Sequence, residues 1–373
     1  MKEAIVSKGL VVEIVDSPVP EPTAGQVLIK IAVSGTNPKD WKVPEAGASA
    51  NHGDDIAGVV AKVGPNVTEF KVGDRVAAFH EMFAPHGSFA DYGIAWEHTT
   101  FHIPASTSFE EAATLPLAYL TAVYGLYKEL QLPDPWHVRP DDAPALPLVI
   151  YGASTAVGAF AIQLARRSNI HPIIGIAGAS SALVKDLLTN NGGDDNLARY
   201  GDAIVDYRQG EAAVLQGVKD ALAKAAPLYK GGKALELKHG FDPATYEGGY
   251  ITLSKLLVGS SGTRLATVSP KHDYKEIDER TEPLEHLGKT YVGDAHSGSG
   301  SPTPLQTADR DLAYVYSRYA TKGLQQGWLK AHPYEVVPGG LGGVGRALRD
   351  LKDGKAHGIK YVLRIADSEG VEK

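Results

Sequence analysis

The 373-residue chain contains no cysteine. That single absence excludes disulfides, thiolate metal sites and thiol nucleophiles. The chain also lacks any run approaching the roughly 18 apolar residues of a membrane-spanning helix. No block of Lys and Arg stands out, and 44 acidic against 37 basic residues leave a formal charge of −7. Nucleic acid and anionic membrane are therefore not expected as main partners. Met1-Lys2-Glu3-Ala4-Ile5-Val6 enters a strand-like pattern at once, so no signal or transit peptide is expected and a cytoplasmic location is. What is present, 43% hydrophobic and 22% charged residues, is the make-up of a globular protein. The length exceeds what one core usually supports, so two domains are expected.

The most informative stretch runs from Leu146 to Ala177. An apolar run (Leu148, Val149, Ile150, Tyr151) meets a turn, an apolar-faced helix follows, and a second apolar run (Ile173, Ile174, Ile176) closes the unit. This is the strand, turn, helix, strand order of a dinucleotide site. Its turn reads Gly152-Ala153-Ser154-Thr155-Ala156-Val157-Gly158. Gly152 makes the sharp exit, Ser154 stands where a second glycine is usual, and Gly158 gives the helix a bare face. The amides of Thr155, Ala156 and Val157 are expected to point along the helix axis at a pyrophosphate. The competing reading is an ordinary βα loop. An NAD site carries an acid about 20 residues past the turn; here Gly175-Ile176-Ala177-Gly178-Ala179-Ser180-Ser181 has none. Ser180 and Ser181 leave room for a 2′-phosphate, with Lys185 one helical turn later and Tyr207-Arg208 ending an expected third strand, Ala203 to Tyr207. NADPH is therefore expected rather than NADH, against a plainer reading of Lys185 and Arg208 as solvated surface charge.

Elsewhere the first 120 residues read as β, with runs at Val11 to Val15, Gln26 to Val33, Gly58 to Val63, Asp74 to Phe79 and Ser88 to Ile94. Asn37-Pro38-Lys39-Asp40-Trp41-Lys42 looks like a turn opening a short helix. Phe109 to Glu129 reads as one helix capped by Ser106 or Ser108. Pro133 to Pro147 reads as a surface connection. From Leu148 to about Thr267, βα units alternate, the pattern of a parallel sheet covered on both faces. Gly293 to Thr303 is Gly/Ser-rich, the composition of a mobile segment. The tail returns to a strand at Tyr334 to Val337, a helix at Val344 to Leu351 and a strand at Lys360 to Ile365.

These motifs, taken in order, resemble a known family. They are Asn37-Pro38-x-Asp40, Asp55-Ile56-Ala57-Gly58-Val59-Val60, Val72-Gly73-Asp74-Arg75-Val76, Gly87-Ser88-Phe89-Ala90-Asp91-Tyr92, the 152–158 turn, Ala203-Ile204-Val205-Asp206-Tyr207-Arg208, and Gly354-Lys355-x-x-Gly358-x-Lys360-Tyr361-Val362. The chain resembles a medium-chain dehydrogenase/reductase of the zinc-independent quinone-oxidoreductase and enoyl-reductase type. The turn, with Thr155-Ala156 in place of twin glycines, and His332-Pro333-Tyr334-Glu335-Val336-Val337-Pro338-Gly339-Gly340-Leu341 are similar to fungal enoyl reductases acting in trans with polyketide synthases. The resemblance implies an α/β fold: a GroES-like β-barrel domain from residues 1–125 and 325–373, a doubly wound Rossmann domain at 126–324, and a cofactor in the cleft between them.

The same resemblance places Lys42 at the active-site mouth, where its ammonium would stabilise an enolate or hold a substrate carbonyl, against a plainer reading as a solvated lysine, and Thr121 beside the nicotinamide, against a helix threonine bonding back to its own backbone. Asn37 would bind substrate or merely stabilise its turn. Tyr124 reads as packing. Gly259 to Thr263 would line the nicotinamide end or form a plain strand-end turn. Zinc enzymes of the family use a catalytic Cys, which this chain cannot supply; His52 and His80, with Glu81, read as loop or surface residues rather than ligands. Without a Lewis acid, the expected reaction is hydride transfer to an activated C=C of an enone, quinone or enoyl thioester. Alternatives are a non-catalytic nucleotide-binding scaffold and a zinc alcohol dehydrogenase. A carrier protein or polyketide synthase is a further expected partner, and the chain is expected as monomer or homodimer.

Overall fold

In the computed structural model the chain divides into two compact units, residues 1–120 with 292–373, and residues 121–291. The residues described are 1–189, 196–244, 248–257, 261–269, 272–278, 284–298 and 303–371.

The first unit begins with β1 (Lys2–Ser7) and β2 (Val11–Asp16), an antiparallel pair. β3 (Gln26–Gly35), β4 (Asp55–Val63), β5 (Arg75–Phe79), β6 (Tyr92–Trp96) and β7 (Thr100–His102) follow. Alternation sends Val27, Ile29 and Ile31 of β3 inward, onto Ile56 and Val60 of β4 and Val76 and Ala78 of β5. Each large aliphatic side chain so buried contributes about 1.5–3 kcal/mol. The expected strand Ser88 to Ile94 lies further on, at β6. Ser88 and Phe89 are used otherwise: the Ser88 hydroxyl meets that of Ser34 at 2.6 Å, and Phe89 N donates to Asn51 Oδ1 at 3.1 Å.

The expected helix Phe109 to Glu129 is three pieces. Ser108 caps Phe109–Ala112 in a reciprocal box with Glu111. A break follows, because Pro116 has no N–H to continue the ladder, and Pro116–Val123 restarts the helix. Tyr124–Glu129 is then wound as a π-helix. There Gly125 lies so close to Phe241 that a Cβ would fall 2.6 Å from its ring.

The second unit is one parallel sheet of β8 (Leu148–Tyr151), β9 (Ile173–Ala177), β10 (Ala203–Asp206), β11 (His239–Asp242), β12 (Arg264–Thr267) and β13 (His286–Lys289). Its spatial order is β10-β9-β8-β11-β12-β13, that is 3-2-1-4-5-6. The order reverses between β8 and β11, where such sheets open a crevice at their carboxyl ends. Strand residues Val149, Ile174, Ile176 and Leu265 pack under the helix residues Val214, Val218 and Leu253.

The chain then returns to the first unit. The sequence reading puts this crossing at residue 324, yet 292–324 lies with the chain ends. The reason is the helix Pro304–Gln326, capped by Thr303 and Gln306. Its Arg318 donates to the carbonyls of Glu97 and Thr100, and its Thr321 hydroxyl to that of His102. β14 (Tyr334–Val336) and β15 (Lys360–Arg364) complete a seven-stranded sheet, ordered β14-β15-β3-β4-β5-β7, with β6 on β3.

Candidate active site

The 152–158 turn has the geometry of an anion cradle. Gly152 holds φ at +86°, a left-handed value that glycine adopts without cost. Gly158 is required by space, since a Cβ there would stand 2.4 Å from the Gly152 carbonyl oxygen. Thr155 is the N-cap of the helix Ala156–Arg167. Its hydroxyl accepts from Gly158 N at 3.1 Å and donates to Gly152 O at 2.8 Å. Its own amide donates to Gly152 O at 3.0 Å. Thr155 therefore shapes the turn, and its amide does not point outward as expected. Among the described residues, the amides of Ser154, Ala156 and Val157 have no partner. Three unpaired donors at a helix N-terminus suit a diphosphate.

Around the ends of β9 and β10 the predicted selectivity residues come together. Ser180 and Ser181 open the helix Ser181–Leu188. Their hydroxyls, and the exposed Lys185 ammonium, have no partner among the described residues. The Tyr207 ring lies against Gly178, where a Cβ would be 2.8 Å from it, and stacks on Tyr151 with centroids 6.2 Å apart. Gly259 lies outside the described residues.

The first unit holds two buried charge clusters that residue spacing does not reveal. In one, Lys360 Nζ donates to Asp55 Oδ2 at 2.5 Å and to Asn37 Oδ1 at 3.1 Å. Asp55 also accepts from Asn37 Nδ2 and from Leu117 N, each at 2.7 Å. The Asn37 side chain, offered as a substrate ligand, is thus engaged through both amide atoms in holding its own turn. In the other, Lys39 Nζ sits 2.6 Å from Asp54, 3.1 Å from Asp40 and 2.5 Å from the His52 carbonyl oxygen. Burial works against the Lys39 charge, but Asp54 and Asp40 outweigh it and hold the ammonium above its ordinary value. Burial pushes Asp40 up to about 7 although Lys39 opposes it. His80 spans Asp54 (3.1 Å) and the Pro85 carbonyl (3.0 Å), and is buried rather than on the surface. His52 is buried as well, and burial, then Lys39, lowers its pKa.

Lys42 projects from the exposed side of the short helix Lys39–Glu45, 5.6 Å from the Trp41 ring. Partial burial lowers its pKa, easing proton release. Thr121 is buried, 6% exposed, in the helix Pro116–Val123, and Tyr124 is fully buried, as packing requires.

Comparison with known proteins is consistent with this geometry. The alcohol dehydrogenase GroES-like domain model matches residues 23–105. Solved structures of similar fold include an alcohol dehydrogenase superfamily protein from Novosphingobium aromaticivorans (TM-score 0.67, 20% identity, covering 100% of this chain and 97% of that one). Another is mycobacterial Rv1454c complexed with NADPH (TM-score 0.65, 20% identity, covering 98% and 99%). With the family model and the relatives below, the chain is a medium-chain dehydrogenase/reductase, an oxidoreductase. The trans-enoyl reductase fsr4 of Gibberella fujikuroi is 42% identical over 342 residues, 91% of either chain. The trans-enoyl reductase resD of Aspergillus sclerotiorum is 30% identical over 371 residues, 94% of this chain and 96% of its own. Within the class, this chain belongs to the family of fungal trans-enoyl reductases.

Proposed function

We propose that the chain is an NADPH-dependent, zinc-independent reductase of activated C=C bonds, acting in the cytoplasm on enoyl thioesters carried by a polyketide synthase. The observation that carries the reading is the turn: amides at Ser154, Ala156 and Val157 and hydroxyls at Ser180 and Ser181 that have no partner among the described residues, then Lys185, with no acid between them. The family supplies the substrate class, since both relatives are named trans-enoyl reductases.

When bound, the reduced nicotinamide supplies the hydride. The amides of Ser154, Ala156 and Val157 hold the diphosphate, and Ser180, Ser181, Lys185 and Tyr207 hold the adenosine end. Lys42, with its lowered pKa, donates to the carbonyl oxygen as charge collects there, the electrostatic role that most affects rate in such reactions. The Thr121 hydroxyl orients cofactor or substrate. Asn37 is a positioning residue, fixing the turn from which Lys42 projects. Two features of the first unit support zinc independence. The Asp40 and Asp54 carboxylates already surround the Lys39 ammonium, and His80 spends both ring nitrogens on Asp54 and Pro85. No thiol exists to replace them.

The test is NADPH oxidation by the purified, EDTA-treated chain with an enoyl thioester, beside a simple ketone and an enone. Turnover of the thioester with undiminished rate after EDTA is expected. Binding of NADPH without turnover of any acceptor would overturn the catalytic reading, and zinc-dependent ketone reduction would overturn the mechanism.

A further inference from the structure

β10 is the edge strand of the second unit, paired in parallel with β9 so that Asp206 is level with Ala177. Residues paired in register on parallel strands project to the same face, about 4.8 Å apart. Ala177 ends the strand on which an NAD site carries its ribose-binding acid. The chain thus omits a carboxylate from β9 and places one a single strand away. Left bare, that carboxylate would repel a 2′-phosphate.

It is not bare. Arg208 folds back across it: Nε lies 3.0 Å and 3.1 Å from the two Asp206 oxygens, and Nη2 lies 2.5 Å from Oδ2. The Arg208 backbone amide also donates to Asp206, at 2.9 Å, so the short turn Tyr207–Gln209 fixes the fork locally. These donors hold the Asp206 carboxyl down at about 2, so it stays ionised throughout the working range. Both Nη1 hydrogens of Arg208 remain unspent among the described residues, and its side chain is 54% exposed. Exposed ion pairs of this kind contribute little by themselves, which leaves the guanidinium available for sharing with a second anion. Between Asp206 and Arg208 stands Tyr207, pressed on Gly178 at the end of β9. The fork therefore borders the place where the adenosine ribose lies in the proposed reading.

We propose that the Asp206–Arg208 fork is the coenzyme selector: Arg208 masks the Asp206 carboxylate and offers its remaining donors to the 2′-phosphate of NADPH. The inference rests on the NADPH reading above and adds to it the pair of residues that decides between the two coenzymes. With Arg208 in place, Arg208 and Lys185 outweigh Asp206 and the rim is net positive. Without it, the rim loses its charge and exposes an anion.

The test is fluorescence titration of NADPH and NADH with the full chain and the variants R208A, R208K, D206N and D206N/R208A. R208A is expected to weaken NADPH binding by about tenfold or more, the worth of a charge-assisted contact, and to leave NADH binding within about twofold. R208K, which keeps the charge and loses the fork, is expected to fall between wild type and R208A. D206N placed in the R208A background is expected to restore NADPH binding by about threefold or more, because the unmasked anion is gone. An NADPH-to-NADH affinity ratio unchanged in R208A would overturn the selector, and absence of rescue in the double variant would overturn the masking role of Arg208. Wild-type preference for NADH would instead sink the coenzyme reading itself, which keeps the two failures apart.

Discussion

Lys360→Met is the most demanding perturbation the structure offers. Lys360 and Asp55 are 305 positions apart, yet their side chains are 4% and 0% exposed and in contact at 2.5 Å. The substitution keeps most of the side-chain volume and removes the ammonium. Asp55 then retains two donors, Asn37 Nδ2 and Leu117 N, and loses its counter-charge in a medium without water. Removing one half of a buried ion pair costs about 3–5 kcal/mol, a large share of a stability of about 5–15 kcal/mol. Urea unfolding is the assay. Tryptophan fluorescence serves as the probe, since Trp41, Trp96 and Trp328 lie in the first unit and Trp136 alone in the second. With a slope of about 1–3 kcal/mol per molar urea, the first-unit midpoint should fall by about 1–5 M. The double variant D55N/K360M buries no charge and should recover about 2 kcal/mol or more relative to K360M. A loss below about 1 kcal/mol in K360M, well under the cost of a stranded buried charge, or no recovery in the double variant, would refute the reasoning.

Other perturbations have equally definite outcomes. Lys42→Met should lower kcat for the enoyl thioester by about a hundredfold, the scale of losing one oxyanion donor, with NADPH affinity by titration unchanged. Gly158→Val drives a side chain into the Gly152 carbonyl and should abolish measurable NADPH binding, whereas Thr155→Ala, losing a helix cap, should cost about 1 kcal/mol in urea unfolding. Acid should destabilise the chain before its carboxylates titrate. Burial holds His98 and His239 down at about 4 and His332 at about 3, against an ordinary 6.5. The unfolded chain therefore protonates first, and their contribution, fully present above pH 6.5, is lost as pH falls from 6.5 toward 4. Asp40, raised to about 7, and Asp202, also raised by burial, oppose this, favouring the folded state as pH falls toward 4. The melting temperature should drop between pH 7 and 4.5; a rise would contradict the assignment of three imidazoles kept neutral by loss of solvation.

What could be read without coordinates follows the range of the interactions involved. The nucleotide turn was legible because its determinants lie within seven residues: Gly152 for φ, Gly158 for space, and a strand on either side. Even there, Thr155 shows the limit, since its hydroxyl and amide turn inward onto Gly152 and Gly158, a choice that depends on atomic positions. The helix Pro304–Gln326 was readable in principle. Thr303 followed by Pro304 and Gln306 is a capping box with proline in the first turn, although the boundary that the resemblance implies, at residue 324, falls inside that helix. Pro116 likewise marked a break in the run from Phe109 to Glu129. By contrast, nothing local announces that Asn37, Asp55 and Lys360 meet, or that Lys39 fills the space between Asp40 and Asp54. Those contacts are made by the packing of β4, β15 and the turn at residue 37, and no periodicity connects them.

The distance between Asp55 and Lys360 along the chain also orders events at the ribosome. At roughly 5–20 residues per second, the carboxylate is made on the order of 15–60 s before the cation that neutralises it. During that interval the whole of 121–291 emerges, with every strand of its parallel sheet available to pair. The nucleotide unit can therefore mature while its companion still waits for its last two strands. A message cut short between codons 292 and 359 would carry the whole of the parallel-sheet unit and lack the cation that neutralises Asp55.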